Sequence, residues 1–421
     1  MKFEIPDALR ALTSDGRLLF ATRIARLFAY GFLSVVLMLY LISLGLSEAK
    51  TGVLLTLTLV GDTVISLWMT TAADRIGRKR MLIAGAGLML FAGVFFVFTR
   101  NFWLLLLAAT IGVISPSGYE VGPFLAIEQA ALSQTVPGEK RTGVFAWYNM
   151  VGSFATALGS LAGGVLTQLL QTGGMAPVNS YRMAVVGYAL MGLALGGLFT
   201  RLSPAVEAPE SSPGTTLRSR FGLHRSRGVV LRLSALFSLD AFAGGFVLQS
   251  IIAYWFYVKF KADPALLGSI FFGANILAGI SALSAAWVVS KIGLIRTMVF
   301  THIPSNVLLM LVPLMPNLPL AILVLLLRYS ISQMDVPTRQ SYTMAVVDPD
   351  ERSAAAGVTG VARTVGASIS PAFTGPLLAN PLLGLPFFFS GGLKIVYDLL
   401  LYRSFQAHRP PEEQKAGRKL A

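Results

Sequence analysis

The sequence contains no cysteine and only three histidines among its 421 residues. The absence of cysteine excludes disulfides and thiol chemistry, and it leaves the redox compartment unreadable. Three histidines without cysteine form no cluster of zinc ligands, so we expect no metal and no cofactor. A Gly-rich phosphate loop and a recognisable Ser–His–acid motif are also missing, which argues against an enzyme.

Charge is scarce as well. Charged residues make up 13% of the chain and apolar residues 54%. Apolar stretches of about 20 residues, long enough to cross a bilayer, recur along the whole chain. We therefore predict an all-α membrane protein with 12 transmembrane helices. The predicted spans are 17–46, 50–73, 80–99, 102–133, 143–170, 182–201, 229–258, 266–289, 296–316, 318–345, 354–379 and 383–404.

The positively charged residues are distributed unevenly among the predicted loops. The formal net charge is +14, and most Lys and Arg residues fall in the termini and the even-numbered loops. This asymmetry places both termini in the cytoplasm and predicts a multi-pass protein of the cytoplasmic (inner) membrane. The excess charge thus indicates orientation in the lipid bilayer rather than binding of nucleic acid. The odd-numbered loops contain five such residues, Lys50, Arg100, Arg182, Lys259 and Lys261.

One long polar segment divides the chain. Residues 201–228 are rich in Pro, Ser, Gly and Arg, which predicts a flexible cytoplasmic linker. It separates an N-terminal six-helix bundle, residues 1–200, from a C-terminal six-helix bundle, residues 229–404. A cytoplasmic tail, residues 405–421, follows.

A basic loop with a degenerate copy supports a duplication of the two halves. Residues 74–80, Asp-Arg-Ile-Gly-Arg-Lys-Arg, lie between spans two and three. Residues 290–296 occupy the corresponding place in the second half but lack the Asp. Gly77 permits a tight turn, and the flanking charges are available for pairing.

The basic loop, the twelve spans and the central linker resemble the major facilitator superfamily over nearly the whole chain. The loop departs from the family pattern at Thr70, where Gly is usual. The resemblance implies two pseudo-symmetric six-helix bundles, a substrate site near the bilayer midplane and transport by alternating access. It also implies a monomer that binds a small-molecule or ion substrate. We expect a cytoplasmic gate built from Asp74, Arg75, Gly77, Arg78, Glu128 and Arg339.

Span five resembles the antiporter signature of the drug-efflux branch of that family. The resemblance rests on Gly159, Gly163 and Gly164, although Ser160 stands where the signature has Pro. Pro371 occupies the aligned position in the second half. Ordinary packing of helices through small residues uses the same amino acids, so both interpretations stay open.

Ionisable residues inside spans are costly and therefore mark functional sites. Arg26 and Asp240 occupy equivalent positions in the two halves and carry opposite charges. A charged cavity with a switchable pair would need such residues, and structural ion pairing is the alternative interpretation. Burial favours the neutral form of a carboxyl group, which makes the intramembrane acids candidates for carrying protons. We predict a substrate and proton pathway formed by Arg26, Asp62, Glu120, Asp240, Arg328, Asp335 and Arg363. Lys394 and Asp398 are expected to neutralise each other at i,i+4 spacing.

The leading functional hypothesis is proton-coupled efflux of a small solute by a secondary active transporter. Uptake, either proton-coupled or facilitative and including uptake of an inorganic anion, is the alternative, and a non-transporting sensor is a more remote one. An anion would use Arg26, Arg328 and Arg363. An organic cation would instead use Asp62, Asp240 and Glu120, and the sequence does not decide between these two classes of substrate.

Overall fold

A computed structural model describes most of the chain, and its regular secondary structure is helical. The described residues are 12–136, 141–207, 225–348, 351–378 and 384–406. The greater part of the predicted linker, residues 208–224, and the end of the predicted tail, residues 407–421, lie outside them.

The helices are numbered in chain order. Those before the linker are α1 (Ser14–Ser34), α2 (Leu37–Ser43), α3 (Glu48–Ile76), α4 (Arg78–Phe98), α5 (Phe102–Ile111), α6 (Phe124–Thr135), α7 (Arg141–Thr172) and α8 (Pro177–Phe199). Those after it are α9 (Arg227–Gly245), α10 (Gln249–Phe260), α11 (Pro264–Ile292), α12 (Leu294–Leu311), α13 (Leu318–Tyr329), α14 (Asp335–Ala345), α15 (Arg352–Leu378) and α16 (Leu385–Phe405). Short 3₁₀ turns occupy Pro204–Val206 and Val312–Leu314.

Length and hydropathy identify the membrane-crossing helices. Among the described residues, eight helices are long and apolar enough to span a bilayer, and the bent pair α1–α2 forms a ninth. Predicted spans four, ten and eleven correspond to α5–α6, α13–α14 and α15. Large apolar side chains such as Phe98, Trp103 and Trp287 are more than half exposed, as expected for a surface that faces lipid. The prediction of an all-α membrane protein is confirmed.

Two predicted spans are broken rather than continuous. Span four is interrupted between Ile111 and Phe124. Gly118 and Gly122 there have φ of 73° and 81°, a conformation that glycine adopts without steric cost. Span ten is interrupted between α13 and α14. Both breaks fall in the polar segments of these spans, where unpaired backbone groups need partners other than lipid.

Contacts divide the chain into two compact units. The first contains the described part of Met1–Pro213 together with Gln249–Phe272. The second contains the described part of Gly214–Leu248 together with Gly273–Ala421. Helix α10 therefore belongs to the first unit, although it follows the linker in the chain.

Small residues bring pairs of helices into close contact in both units. In the first unit α1 packs along α7, and a Cβ atom at Gly159 would overlap the carbonyl oxygen of Phe28. In the second unit α9 packs along α15, and a Cβ atom at Gly366 would overlap the carbonyl oxygen of Ser238. The close approach of the backbones explains the glycine content of α7 and α15.

Replacing Gly159 by Ala should therefore destabilise the protein. The added methyl group must push α1 away from α7, and overpacking of this kind costs about 1–3 kcal/mol. We expect a lower thermal unfolding midpoint for the purified protein in detergent. The control is Gly197→Ala, because a Cβ atom at Gly197 meets no atom within 4 Å. Equal midpoints for the two variants would contradict the packing role.

Candidate functional site

Arg26 is the centre of a buried charge cluster in the first unit. Its side chain lies in α1 and is 0% exposed. The guanidinium donates two hydrogen bonds of 2.7 Å to Glu128 in α6, and its Nε donates one of 2.9 Å to Glu120. The ring of Phe124 lies 4.7 Å from the guanidinium carbon. Helix α1 is thus joined to the break in span four and to α6, the helix that follows it.

Arg23, one turn earlier in α1, completes the cluster. It donates to Glu120 at 2.9 Å and to the carbonyl oxygen of Tyr148 at 2.7 Å. The Tyr148 hydroxyl donates to Glu128. Two arginines and two glutamates therefore cancel in formal charge. Arg23 was missed from the sequence, although the i,i+3 spacing of Arg23 and Arg26 within one span was a usable signal.

Asp62 is also buried, but its surroundings differ. Its carboxylate, in α3, accepts hydrogen bonds from the backbone N–H of Gly122 at 2.6 Å and from the Ser66 hydroxyl at 3.3 Å. Among the described residues, no Lys, Arg or His lies within ion-pair distance of this carboxylate. The break in span four supplies the N–H donor that a continuous helix would have used internally.

Asp240 is the centre of the corresponding cluster in the second unit. This α9 carboxylate, 3% exposed, accepts from Lys394 at 2.6 Å, from Arg363 at 3.0 Å and from Arg339 at 3.4 Å. Arg339 also binds Asp335 at 2.7 Å. The polarity is the reverse of that in the first unit, since here an anion is surrounded by cations. Arg26 and Asp240 thus hold equivalent positions as cluster centres.

A histidine extends the second cluster. His302 contacts Asp398 through Nδ1 at 2.8 Å, and its Nε2 lies 3.9 Å from Asp240. Asn306 donates to the other oxygen of Asp398 at 3.2 Å. The expectation that Lys394 and Asp398 neutralise each other is wrong, because tertiary packing brings a different partner to each.

Arg328 differs from the other buried cations. It lies in the last turn of α13, is 9% exposed, and its guanidinium carbon is 4.9 Å from the ring centre of Tyr329. Its Nε is buried without a hydrogen-bond partner. Within the described part of the chain, no carboxylate forms an ion pair with it.

The basic loop at residues 74–80 forms a capped turn. Gly77 has φ of 113°, and Arg78 donates to Asp74 at 2.7 Å. The carboxylate of Glu207, from the start of the linker, accepts from the backbone N–H groups of Arg78 at 2.6 Å and Lys79 at 3.3 Å. Glu207 therefore caps the first turn of α4, a role that no pattern in the sequence indicated.

The residues expected in the cytoplasmic gate do not form one group: some are exposed, and others belong to the two buried clusters. Arg75 is exposed, and the side chain of Asp74 is 64% exposed. The hydrogen bonds of Glu128 go to the Arg26 cluster rather than to the basic loop. Arg339 lies in the Asp240 cluster of the second unit.

The residues that resemble an antiporter signature lie at helix contacts. Cβ atoms at Gly163 and Gly164 would overlap the carbonyl oxygens of Phe32 and Pro264. Ser160, which replaces the proline of the signature, accepts a hydrogen bond of 3.0 Å from the side-chain amide of Gln249 in α10. Its counterpart Pro371 lies within α15 of the second unit.

Comparison with known proteins identifies a family model, relatives in sequence and solved structures with a similar fold. The Major Facilitator Superfamily model matches residues 18–371 and, in a second match, residues 241–420. The uncharacterized membrane protein YJR124C of Saccharomyces cerevisiae is 31% identical, over 94% of this chain and 95% of its own. A Na(+), Li(+), K(+)/H(+) antiporter of Planococcus maritimus is 29% identical over 27% of each chain. The crystal structure of a variant of the nucleoside transporter NupG has a TM-score of 0.75 at 12% identity, covering 93% of this chain and 100% of that one.

Removing Arg26 should destabilise the first unit strongly. Arg26→Met leaves Glu128 buried without a cation, and breaking a buried pair in this way costs about 3–5 kcal/mol. We expect a large fall in the thermal unfolding midpoint in detergent and partial recovery in the Arg26→Met/Glu128→Gln double variant. Arg232→Met, at an exposed position in α9, is the control. An unaltered midpoint in Arg26→Met would show that the cluster contributes no stability.

Proposed function

We propose, given that the chain belongs to the major facilitator superfamily, that it exports a small solute in exchange for protons. The family is one of transporters, so the chain is a transporter and not an enzyme. It moves its solute across the membrane by alternating access. Proton coupling and outward direction are the parts that belong to the proposal.

The observation that carries proton coupling is the environment of Asp62. A proton-coupled carrier needs an intramembrane carboxyl group that can gain and lose a proton during the cycle. Protonation of Asp240 would leave its surrounding cations without their shared anion. Protonation of Asp62 leaves no cation unpaired, because its donors are a backbone N–H and a hydroxyl. Asp62 is therefore our first candidate for the proton carrier, ahead of Glu120, Asp240 and Asp335.

The direction of transport rests on weaker support. The small residues of α7, Gly159, Gly163 and Gly164, resemble the antiporter signature of efflux proteins. The partial similarity to a Na(+), Li(+), K(+)/H(+) antiporter agrees with exchange of a solute against protons. An outward flux driven by inward proton movement follows from these two likenesses.

The proposed arrangement in the membrane follows the distribution of Lys and Arg. We place both termini and residues 201–228 in the cytoplasm, and the protein in the inner membrane as a monomer. Residues 74–80 then face the cytoplasm. Asp74 and Arg78 would form one side of a gate there, held in shape by Glu207.

Flux in proteoliposomes tests the coupling. A thermal-shift screen of purified protein against anions, cations, sugars and drugs first identifies a solute. An imposed pH gradient should then drive accumulation of that solute by the wild type. In Asp62→Asn the gradient-driven accumulation should be lost, while exchange of labelled for unlabelled solute continues.

The matched control is Asp263→Asn, since Asp263 is exposed and only caps the first turn of α11. Wild-type flux that ignores the pH gradient would refute proton coupling. Gradient-driven accumulation by Asp62→Asn at the wild-type level would refute the role of Asp62. Accumulation in the direction of proton movement would indicate uptake instead of efflux.

A further inference from the structure

The buried cations of the described residues can be sorted by their partners. Five of them form ion pairs with carboxylates, at 2.9 Å for Arg23 and at 2.6–2.7 Å for the other four. Arg328 is also buried, at 9% exposure, and has no such partner in the described part of the chain. The paired residues are Arg23, Arg26, Arg78, Arg339 and Lys394.

What surrounds Arg328 within the second unit does not replace a carboxylate. The Tyr329 ring lies 4.9 Å away, and a cation–π contact compensates only part of the cost of burying a full charge. The C-terminal end of α13 contributes partial negative charge, which is also smaller than one unit. The Ser332 hydroxyl, four residues later in the break between α13 and α14, is buried and without a hydrogen-bond partner as well. Among the described residues, the Arg328 Nε–H and the Ser332 hydroxyl are thus two buried donors without a partner at or next to this break.

The other two arginines expected to bind an anion, Arg26 and Arg363, already form ion pairs with carboxylates of the protein. Arg26 is bound to Glu128 and Glu120, and Arg363 is bound to Asp240. Of the carboxylates that an organic cation would use, Glu120 and Asp240 are both paired with arginines or lysine. Asp62 has no cationic partner, but it is assigned to the proton. With Asp62 assigned to the proton, the unpaired Arg328 favours an anionic ligand over a cationic one.

We propose that Arg328 binds the anionic group of the transported solute, so that the substrate is a small anion carrying a carboxylate or phosphate. The planar guanidinium suits either group, since it donates two parallel hydrogen bonds to a pair of oxygens. The Ser332 hydroxyl supplies one more donor at the same helix break. This inference rests on the proposed transport function and adds the chemical class of the solute.

The first test needs no identified substrate. In ligand-free detergent solution, Arg328→Gln should raise the thermal unfolding midpoint, because it removes a buried charge that has no partner. A structural role for Arg328 would give the opposite sign, as expected for Arg26→Met. An unchanged or lower midpoint for Arg328→Gln would overturn the proposal.

The second test uses defined anions. Inorganic phosphate, succinate and glucose 6-phosphate are titrated against wild type in a thermal-shift assay, with choline and glucose as cationic and neutral comparisons. At least one anion should stabilise the wild type, and Arg328→Gln should weaken that effect about tenfold or more. Arg328→Lys should be intermediate, and Arg232→Gln should match wild type.

Two results of this titration would overturn the assignment. One is equal stabilisation of wild type and Arg328→Gln by the same anion, which would indicate binding elsewhere. The other is stabilisation by choline and by none of the anions. Transport of a cation under a pH gradient would refute the anion class and leave proton coupling intact. Transport of an anion that ignores the gradient would do the reverse.

Discussion

The need to neutralise charge inside the bilayer governs this structure. A lone ion in hydrocarbon is costly, and most of the buried ionic groups within the described spans are collected around one central residue in each unit. In the first unit the centre is Arg26 with two glutamates, and in the second it is Asp240 with lysine and arginine. Each cluster joins several helices through ion pairs, so that charge pairing also stabilises the contacts between helices.

The breaks in spans four and ten provide hydrogen-bond donors that a continuous helix would not leave free. The break in span four frees the N–H of Gly122, which then binds the carboxylate of Asp62. The break in span ten leaves Arg328 and Ser332 with unused donors. The Asp62 carboxylate and the Arg328 guanidinium thus lie beside irregular backbone. Membrane proteins tolerate such backbone where it is buried in protein or lines a water-filled cavity. Proton transfer and solute binding can be assigned to different breaks for this reason.

The basic loop has a second role besides orientation. Its Gly77 turn is held by Glu207, which approaches from the start of the linker. Lys79 donates to the carbonyl oxygen of Leu202 at 2.7 Å. The carboxylate of Asp15 accepts hydrogen bonds from the backbone N–H of Ser203 at 3.0 Å and from the Ser203 hydroxyl. The first residues of the linker therefore belong to the folded first unit, although their composition predicts flexibility.

The sequence by itself determined the membrane class, the helical content and the family, because hydropathy and the residues 74–80 motif are local properties. It also singled out most of the charged residues found in the two buried clusters, since an ion within an apolar span is conspicuous. The sequence could not identify the ion-pair partners of these residues. Lys394, for example, binds Asp240 instead of Asp398. Only tertiary structure decided which charges were paired and which, like Arg328, were left over. Pairing depends on which helices meet, and that is fixed by the packing of distant segments rather than by spacing along one helix.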